Sequence, residues 1–156
     1  MVVNRSAAPG RVVPSLIYED VAAAIEWLCD TFGFTERLRA VGPEGVVGHA
    51  QLEIGEGSII LGQARVGQGF AAPNTAVFGP PRQGEVSQTI SVTLEDVDRH
   101  FEQSRRRGAR ILQPPQDHPY GERQYTLEDL AGYQWTFTQS IADIAPQDWG
   151  ATTPDG

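Results

Sequence analysis

The sequence predicts an α+β chain made of two βαβββ modules, and three observations carry that prediction. A strand–helix–three-strand order occurs twice, and the triplets Glu19-Asp20-Val21 and Glu95-Asp96-Val97 stand 76 residues apart. Ile25 and Phe101 match at the same offset, so the repeat falls on core positions, and an internal repeat outranks local detail as a sign of architecture. Seventeen glycines and eleven prolines in 156 residues point to many turns and few long helices.

In the first module, Val12–Tyr18 reads as a strand. A helix follows, with Val21, Ile25, Leu28 and Phe32 forming one apolar stripe, Asp20 as N-cap and Gly33 as its stop. Strands are expected over Thr35–Val41, Gly45–Ile54 and Ser58–Leu61, the last two joined by Gly55-Glu56-Gly57. In the second module, Gln88–Leu94 is the opening strand. Its helix starts at Asp96, carries Val97 and Phe101, and ends at Gly108. Arg105, Arg106 and Arg107 fall in the last turn, where the helix dipole favours cations; a solvated terminus is preferred to an anion site. Three strands follow at Ala109–Leu112, Arg123–Glu128 and Tyr133–Thr138, with Asp129-Leu130-Ala131-Gly132 turning between the last two. The expected organisation is one domain over 11–142 (modules at about 11–64 and 86–140) with a C-terminal tail over 143–156 held by Trp149. The Gly/Pro/Ala-rich linker at about 65–85 is long for a compact domain. Its Phe70 and Phe78 are expected either to close over a pocket or to pack on a partner subunit.

Composition narrows the function classes. With 40% apolar and 21% charged residues the chain is not disordered throughout, and no apolar run is long enough to span a membrane as a helix. The first residues show no secretory signal, and the single cysteine, Cys29, cannot form an internal disulfide, so a reducing cytoplasm is the expected location. A net charge of −8 repels phosphate backbones, which argues against nucleic acid as a partner.

Strand alternation assigns faces. Ala50, Leu52 and Ile54 share one side and His49, Gln51 and Glu53 the other. Ile90, Val92 and Leu94 oppose Thr89, Ser91 and Thr93, and Trp135 and Phe137 oppose Gln134, Thr136 and Thr138. Each sheet thus buries one face under an outer helix and keeps a polar face. Two such sheets, curled by twist, are expected to enclose a cleft suited to a small molecule.

The plan resembles the vicinal oxygen chelate superfamily, also called the glyoxalase/bleomycin-resistance/dioxygenase group, and its bleomycin-resistance-like members in particular. The resemblance is carried by PSLIYEDVAAAIEWLCDTFGF, GHAQLEIGEGSIILG, SVTLEDVDRHFEQSRRRGA and PYGERQYTLEDLAGYQWTF. The last segment is similar to the family's ending through Tyr120, Gly121, Arg123, Tyr125, Asp129, Gly132 and Trp135, with Leu130 where proline is usual. The resemblance implies paired curled mixed sheets. In catalytic members it also implies a divalent metal held by four strand residues, two from each half. Those positions fall here at Val13, at Ile60 or Leu61, at Thr89 and at Thr136. Hydrocarbon has no lone pair and threonine is a poor ligand, so neither a metal nor any other cofactor is expected.

Other chemistry is weighed on the residues. His49 and Glu53 share a strand face and have the types needed for proton transfer, but no orienting third group is identifiable. His118 and Glu122 flank Tyr120 as a further weak pair, and His100 is expected to be exposed. Cys29, at the edge of a core stripe, is expected to be inert. Two functions result. The first is a metal-independent binding protein for an antibiotic or other natural product, with His49, Gln51, Glu53, Thr89, Ser91, Tyr120, Arg123, Tyr125 and Thr136 as ligand-binding candidates. Stacking could come from Trp27, Phe70, Phe78, Tyr120 or Tyr125, and the acidic charge suits a cationic ligand. The second is an enzyme of the same superfamily (an isomerase, lyase or dioxygenase-like protein) with a non-standard site around His49, Glu53 and Arg123. The resemblance also implies a homodimer.

Overall fold

A computed structural model describes residues 2–66 and 77–154, with the backbone alone at 65, 66, 77 and 78. The chain divides into two compact units, 1–82 and 83–156.

The first unit contains β1 (Ser15–Tyr18), α1 (Val21–Phe32), β2 (Thr35–Val41), β3 (Val47–Ile54) and β4 (Gly57–Gln63). These strands form a sheet in the order β1-β4-β3-β2, with β1 parallel to β4 and the other neighbours antiparallel. Two short strands, β5 (Arg65–Val66) and β6 (Val77–Phe78), pair inside the segment expected to be a plain linker. Phe70 lies outside the described residues, as does the side chain of Phe78.

The second unit repeats the plan with β7 (Ile90–Thr93), α2 (Val97–Arg106), β8 (Arg110–Asp117), β9 (Glu122–Glu128) and β10 (Gln134–Ser140), in the order β7-β10-β9-β8. The repeat holds at the level of register: Ser15 stands opposite Ile60, and Ser91 stands opposite Thr136, both members displaced by 76 residues.

The helices begin where local chemistry dictates. Asp20 accepts a hydrogen bond from Ala23 N at 3.0 Å, and Asp96 accepts one from Arg99 N at 2.9 Å. Each cap satisfies an otherwise orphaned amide and is worth about 1 kcal/mol. Gly33, at φ 82°, closes α1 in the left-handed region that suits glycine. Val21, Ala24, Ile25, Leu28 and Phe32 of α1 are buried with Leu16, Ala50, Leu52, Ile59 and Leu61 of the sheet. Only Val97 and Ser104 of α2 are buried, beside an aromatic core of Tyr125, Trp135 and Phe137.

Three details depart from expectation. β8 continues to Asp117 rather than stopping at Leu112, despite Pro114 and Pro115. It is an edge strand with a shifting register, so the missing proline N–H groups break no required ladder bond. His100 is not exposed: its ring lies 4.2 Å from that of Phe137, and Nδ1 is 2.6 Å from the Tyr125 hydroxyl. The tail folds back on Gly121, whose carbonyl accepts from Ile141 N at 2.8 Å and Ala142 N at 3.2 Å. Gly121 sits at φ 84°, and a Cβ there would lie 2.3 Å from the Ala142 carbonyl oxygen, so only glycine fits. Trp149 then meets Tyr120 edge-on at 5.5 Å, while remaining partly exposed.

The Asp129–Gly132 turn is fixed by one carboxylate. Asp129 Oδ1 accepts from Ala131 N at 2.9 Å and Tyr133 N at 3.1 Å, and Oδ2 accepts from Trp135 Nε1 at 3.1 Å. No helix among the described residues is long and apolar enough to cross a membrane.

Candidate functional site

The face of the first sheet away from α1 carries a hollow of about 500 Å³. Alternation explains its walls: with Leu16, Ala50, Leu52 and Leu61 under the helix, their neighbours Ser15, Ile17, His49 and Ile60 must face the other way. Gly48 and Gly62 add depth because they lack side chains, and a Cβ on Gly62 would come within 3.1 Å of Ile17 Cδ1. The β2–β3 hairpin supplies the lip. Its turn is closed by Gly42 N to Val46 O at 2.9 Å and Gly45 N to Gly42 O at 3.0 Å. Val41 and Val46 are therefore held half exposed on a wall that also includes Ala40 and Gly42. Gln63 completes the lining, its amide donating to the Glu19 carbonyl at 2.5 Å.

Beside the hollow, the same face is closed by the chain itself. A β-bulge between Glu36 and Leu38 leaves Arg37 as an extra residue in β2, and alternation from Thr35, the partner of Glu53, puts it on the open face. It donates Nη1 to Gln51 Oε1 at 2.5 Å and Nη2 to the Arg5 carbonyl at 2.6 Å, and its Nε lies 3.2 Å from Glu53. Gln51 Nε2 donates to the Ser6 carbonyl at 2.9 Å and lies 3.4 Å from His49 Nε2. Ser58 Oγ donates to the Pro9 carbonyl. Residues 5–9 thus form a strap over Gln51, which is almost fully buried. Of the three polar candidates on β3, His49 opens into the hollow, whereas Gln51 and Glu53 are engaged by Arg37 and the strap.

On the second sheet's open face, polar side chains bond to one another. Thr136 Oγ1 is 3.3 Å from Thr126 Oγ1, and Ser91 stands beside Thr136 in register. Tyr120 donates to Gln124 at 3.0 Å, Gln124 donates to Glu122 at 2.6 Å, and Thr138 donates to the same carboxylate at 3.0 Å. His118 stacks on Tyr120 with ring centres 5.1 Å apart. Thr89 falls one residue before β7.

Arg123 and Tyr125 lie on the opposite, helix-facing side, because they share the parity of the buried Leu127. Arg123 pairs with Asp98 of α2 at 2.9 Å and Asp117 of β8 at 2.8 Å, contacts that hold its guanidinium above its usual range. The Tyr125 hydroxyl lies 3.0 Å from Ser104 Oγ, and burial pushes it above the usual tyrosine range. Burial, with Glu36 and Asp30 nearby, raises the Cys29 thiol, which disfavours the thiolate a nucleophile requires. Trp27 meets Phe32 of its own helix edge-on at 4.9 Å.

At the positions the resemblance assigned to metal ligands, Ile60 lines the hollow, Leu61 is core, and Thr136 pairs with a neighbouring threonine. Hydrocarbon and neutral hydroxyl groups do not fit a divalent cation. Among the described residues, no three His, Cys, Asp or Glu side chains gather as a metal site elsewhere.

The sequence reading missed the apolar lining at Ile17, Ala40, Val41 and Val46, and Arg37 as the hub. The signal for Ile17 was present, since alternation outward from the buried Leu16 and Tyr18 exposes it to the open face. Arg37 shares the parity of Thr35, but the bulge that leaves it without a ladder partner is invisible to a parity count.

Two βαβββ units of common register, each with a four-stranded mixed sheet and one covering helix, define the class to which this fold belongs. The chain is a member of the Glyoxalase/Bleomycin resistance protein/Dioxygenase superfamily, whose family model matches residues 10–137. It is similar to TioX from Micromonospora sp. ML1, with 34% identity, a TM-score of 0.66, and coverage of 85% of this chain and 99% of that one. TnmS3, an antibiotic binding protein from Streptomyces sp. CB03234, shares the fold at 20% identity and a TM-score of 0.60, over 86% of this chain and 98% of that one. The uncharacterized protein Rv0887c of Mycobacterium tuberculosis is 28% identical over 133 residues, which are 84% of this chain and 75% of that protein.

Proposed function

We propose that this chain is a metal-independent small-molecule binding protein, and that its ligand is an antibiotic or other natural product seated in the hollow of the first sheet. One observation carries the reading: the hollow is walled by Ile17, Val41, Val46 and Ile60, with hydrocarbon at a position where catalytic relatives would need a metal ligand. Apolar walls with a few polar groups are the usual make-up of a small-molecule site. The likeness in fold to TnmS3, an antibiotic binding protein, supports the ligand class. A net charge of −8 favours capture of a cationic ligand through long-range attraction. The enzyme reading is weakened because Glu53 is tied to Arg37, and Arg123 to Asp98 and Asp117. The protein is further proposed to act in the cytoplasm as a homodimer, an arrangement that light scattering would check.

A thermal-shift screen tests the reading, because a ligand that binds only the folded chain raises its melting temperature. The expected result is stabilisation by planar or cationic natural products, bleomycin among them, with no response to Zn²⁺, Ni²⁺, Fe²⁺ or Mn²⁺ and no loss of binding after chelation. Purified protein carrying one equivalent of such a metal would overturn it.

A further inference from the structure

The hydrogen bonds beside the hollow run in one sense only, and that sense fixes which ring nitrogen of His49 accepts. An arginine guanidinium can donate but never accept. Because Arg37 Nη1 donates to Gln51 at 2.5 Å, the amide oxygen of Gln51 faces Arg37 and its NH₂ faces away. One amide hydrogen goes to the Ser6 carbonyl at 2.9 Å. The other points to His49 Nε2 at 3.4 Å. Reversing the amide would set its nitrogen against guanidinium donors and its oxygen against a carbonyl, losing two bonds at once. Nε2 of His49 is therefore an acceptor, and the neutral ring carries its proton on Nδ1. Among the described residues nothing bonds Nδ1, while the ring lines the hollow. The other polar lining groups are less directional. Ser15 carries a hydroxyl that can turn either way, and Gln63 is anchored by an N–H donated to the Glu19 carbonyl.

We infer that His49, oriented through Gln51 by Arg37, presents a fixed Nδ1–H donor to the hollow, and that the ligand is a largely apolar molecule carrying a carbonyl or similar acceptor oxygen. The inference rests on the hollow being the ligand site and adds the chemistry that site selects. A hydrocarbon of the same shape would bury the donor without a partner, so selectivity comes from the donor left unmade as much as from the bond gained.

Two measurements on the full chain test this separately from the reading beneath it. Long-range ¹⁵N–¹H NMR of the imidazole is expected to show a protonated Nδ1 and a bare Nε2 in the wild type. In Gln51→Leu, which removes the donor to Nε2, the proton is expected to shift toward Nε2. Fluorescence titration would compare 6-propionyl-2-dimethylaminonaphthalene, a ketone, with 2-dimethylaminonaphthalene, which lacks that group. The wild type is expected to prefer the ketone about three- to tenfold beyond the ratio seen with His49→Phe, the span of one neutral hydrogen bond. A wild-type proton on Nε2, or an equal probe ratio in wild type and His49→Phe, would overturn the donor while leaving the hollow as a site. Failure of both probes to bind the wild type would remove the hollow, and the donor's role with it.

Discussion

The two sheets share a register and put it to opposite uses. Around Ile60, the first sheet is open, lined by hydrocarbon and glycine, with one imidazole at its edge. Around Thr136, the equivalent residue of the second, threonines, Gln124, Glu122 and Tyr120 bond to one another. The cores differ in the reverse sense. Beneath α1 the sheet contributes Leu16, Ala50, Leu52, Ile59 and Leu61, whereas beneath α2 lie Tyr125, Trp135 and Phe137 with hydroxyl and imidazole partners. A duplicated frame thus leaves one copy free to keep an unfilled surface while the other invests its polar groups in stability. Substitutions in the second unit should accordingly be read in unfolding, and those lining the hollow in binding.

The greatest loss is expected from Asp129→Ala. It strands the buried Trp135 indole N–H and two half-buried backbone amides, at a cost of about 3 kcal/mol in urea unfolding. A fall of less than about 1 kcal/mol would show that water replaces the carboxylate there. Gly121→Ala comes next, at about 2 kcal/mol, since it adds left-handed backbone strain to a clash with the Ala142 carbonyl. Restoration of stability by deletion of the tail from residue 141 would assign the cost to that clash.

Gly62→Val sharpens the contrast from the other side. It fills the hollow and is expected to weaken the naphthalene probes more than tenfold, while unfolding stays within about 1 kcal/mol of wild type. Unchanged probe binding would move the site elsewhere.

The smallest effect belongs to Tyr125→Phe, about 1 kcal/mol at neutral pH for the hydroxyl shared by His100 and Ser104. Its sign with pH is fixed by linkage. Burial raises the folded-state value, so the unfolded chain loses this proton first. Tyr125's contribution is whole below the unfolded value of about 10 and declines as pH rises beyond it. Wild-type stability should therefore fall more steeply above pH 10 than that of Tyr125→Phe. Parallel curves would show that the hydroxyl is solvated when folded.

Much of the frame was legible because it depends on local chemistry and periodicity. Asp20 and Asp96 announce their helices by capping them, and the alternation of Ala50 and Leu52 marks the buried side of β3. Less of the site could be read. Polar side chains draw attention, yet Gln51 and Glu53 are consumed by an arginine and a strap far away in sequence. The hollow is instead made by residues whose composition resembles core. Tyr125 was ambiguous because parity with Leu127 and a polar hydroxyl point to opposite faces, and packing decided for the helix side. β8 runs past its expected end at Leu112 through Pro114 and Pro115, because an edge strand has amides to spare.

The extra residue in β2 carries an implication for chain length. Excising Arg37 would leave Glu36 and Leu38 as ordinary consecutive partners of Leu52 and Gln51, so the ladder could close over the gap. A length change of one codon would then discard the cation that orders the amide, the imidazole and residues 5–9 together. Loss of that one residue would change the open face of the first sheet through chain length rather than through side-chain identity.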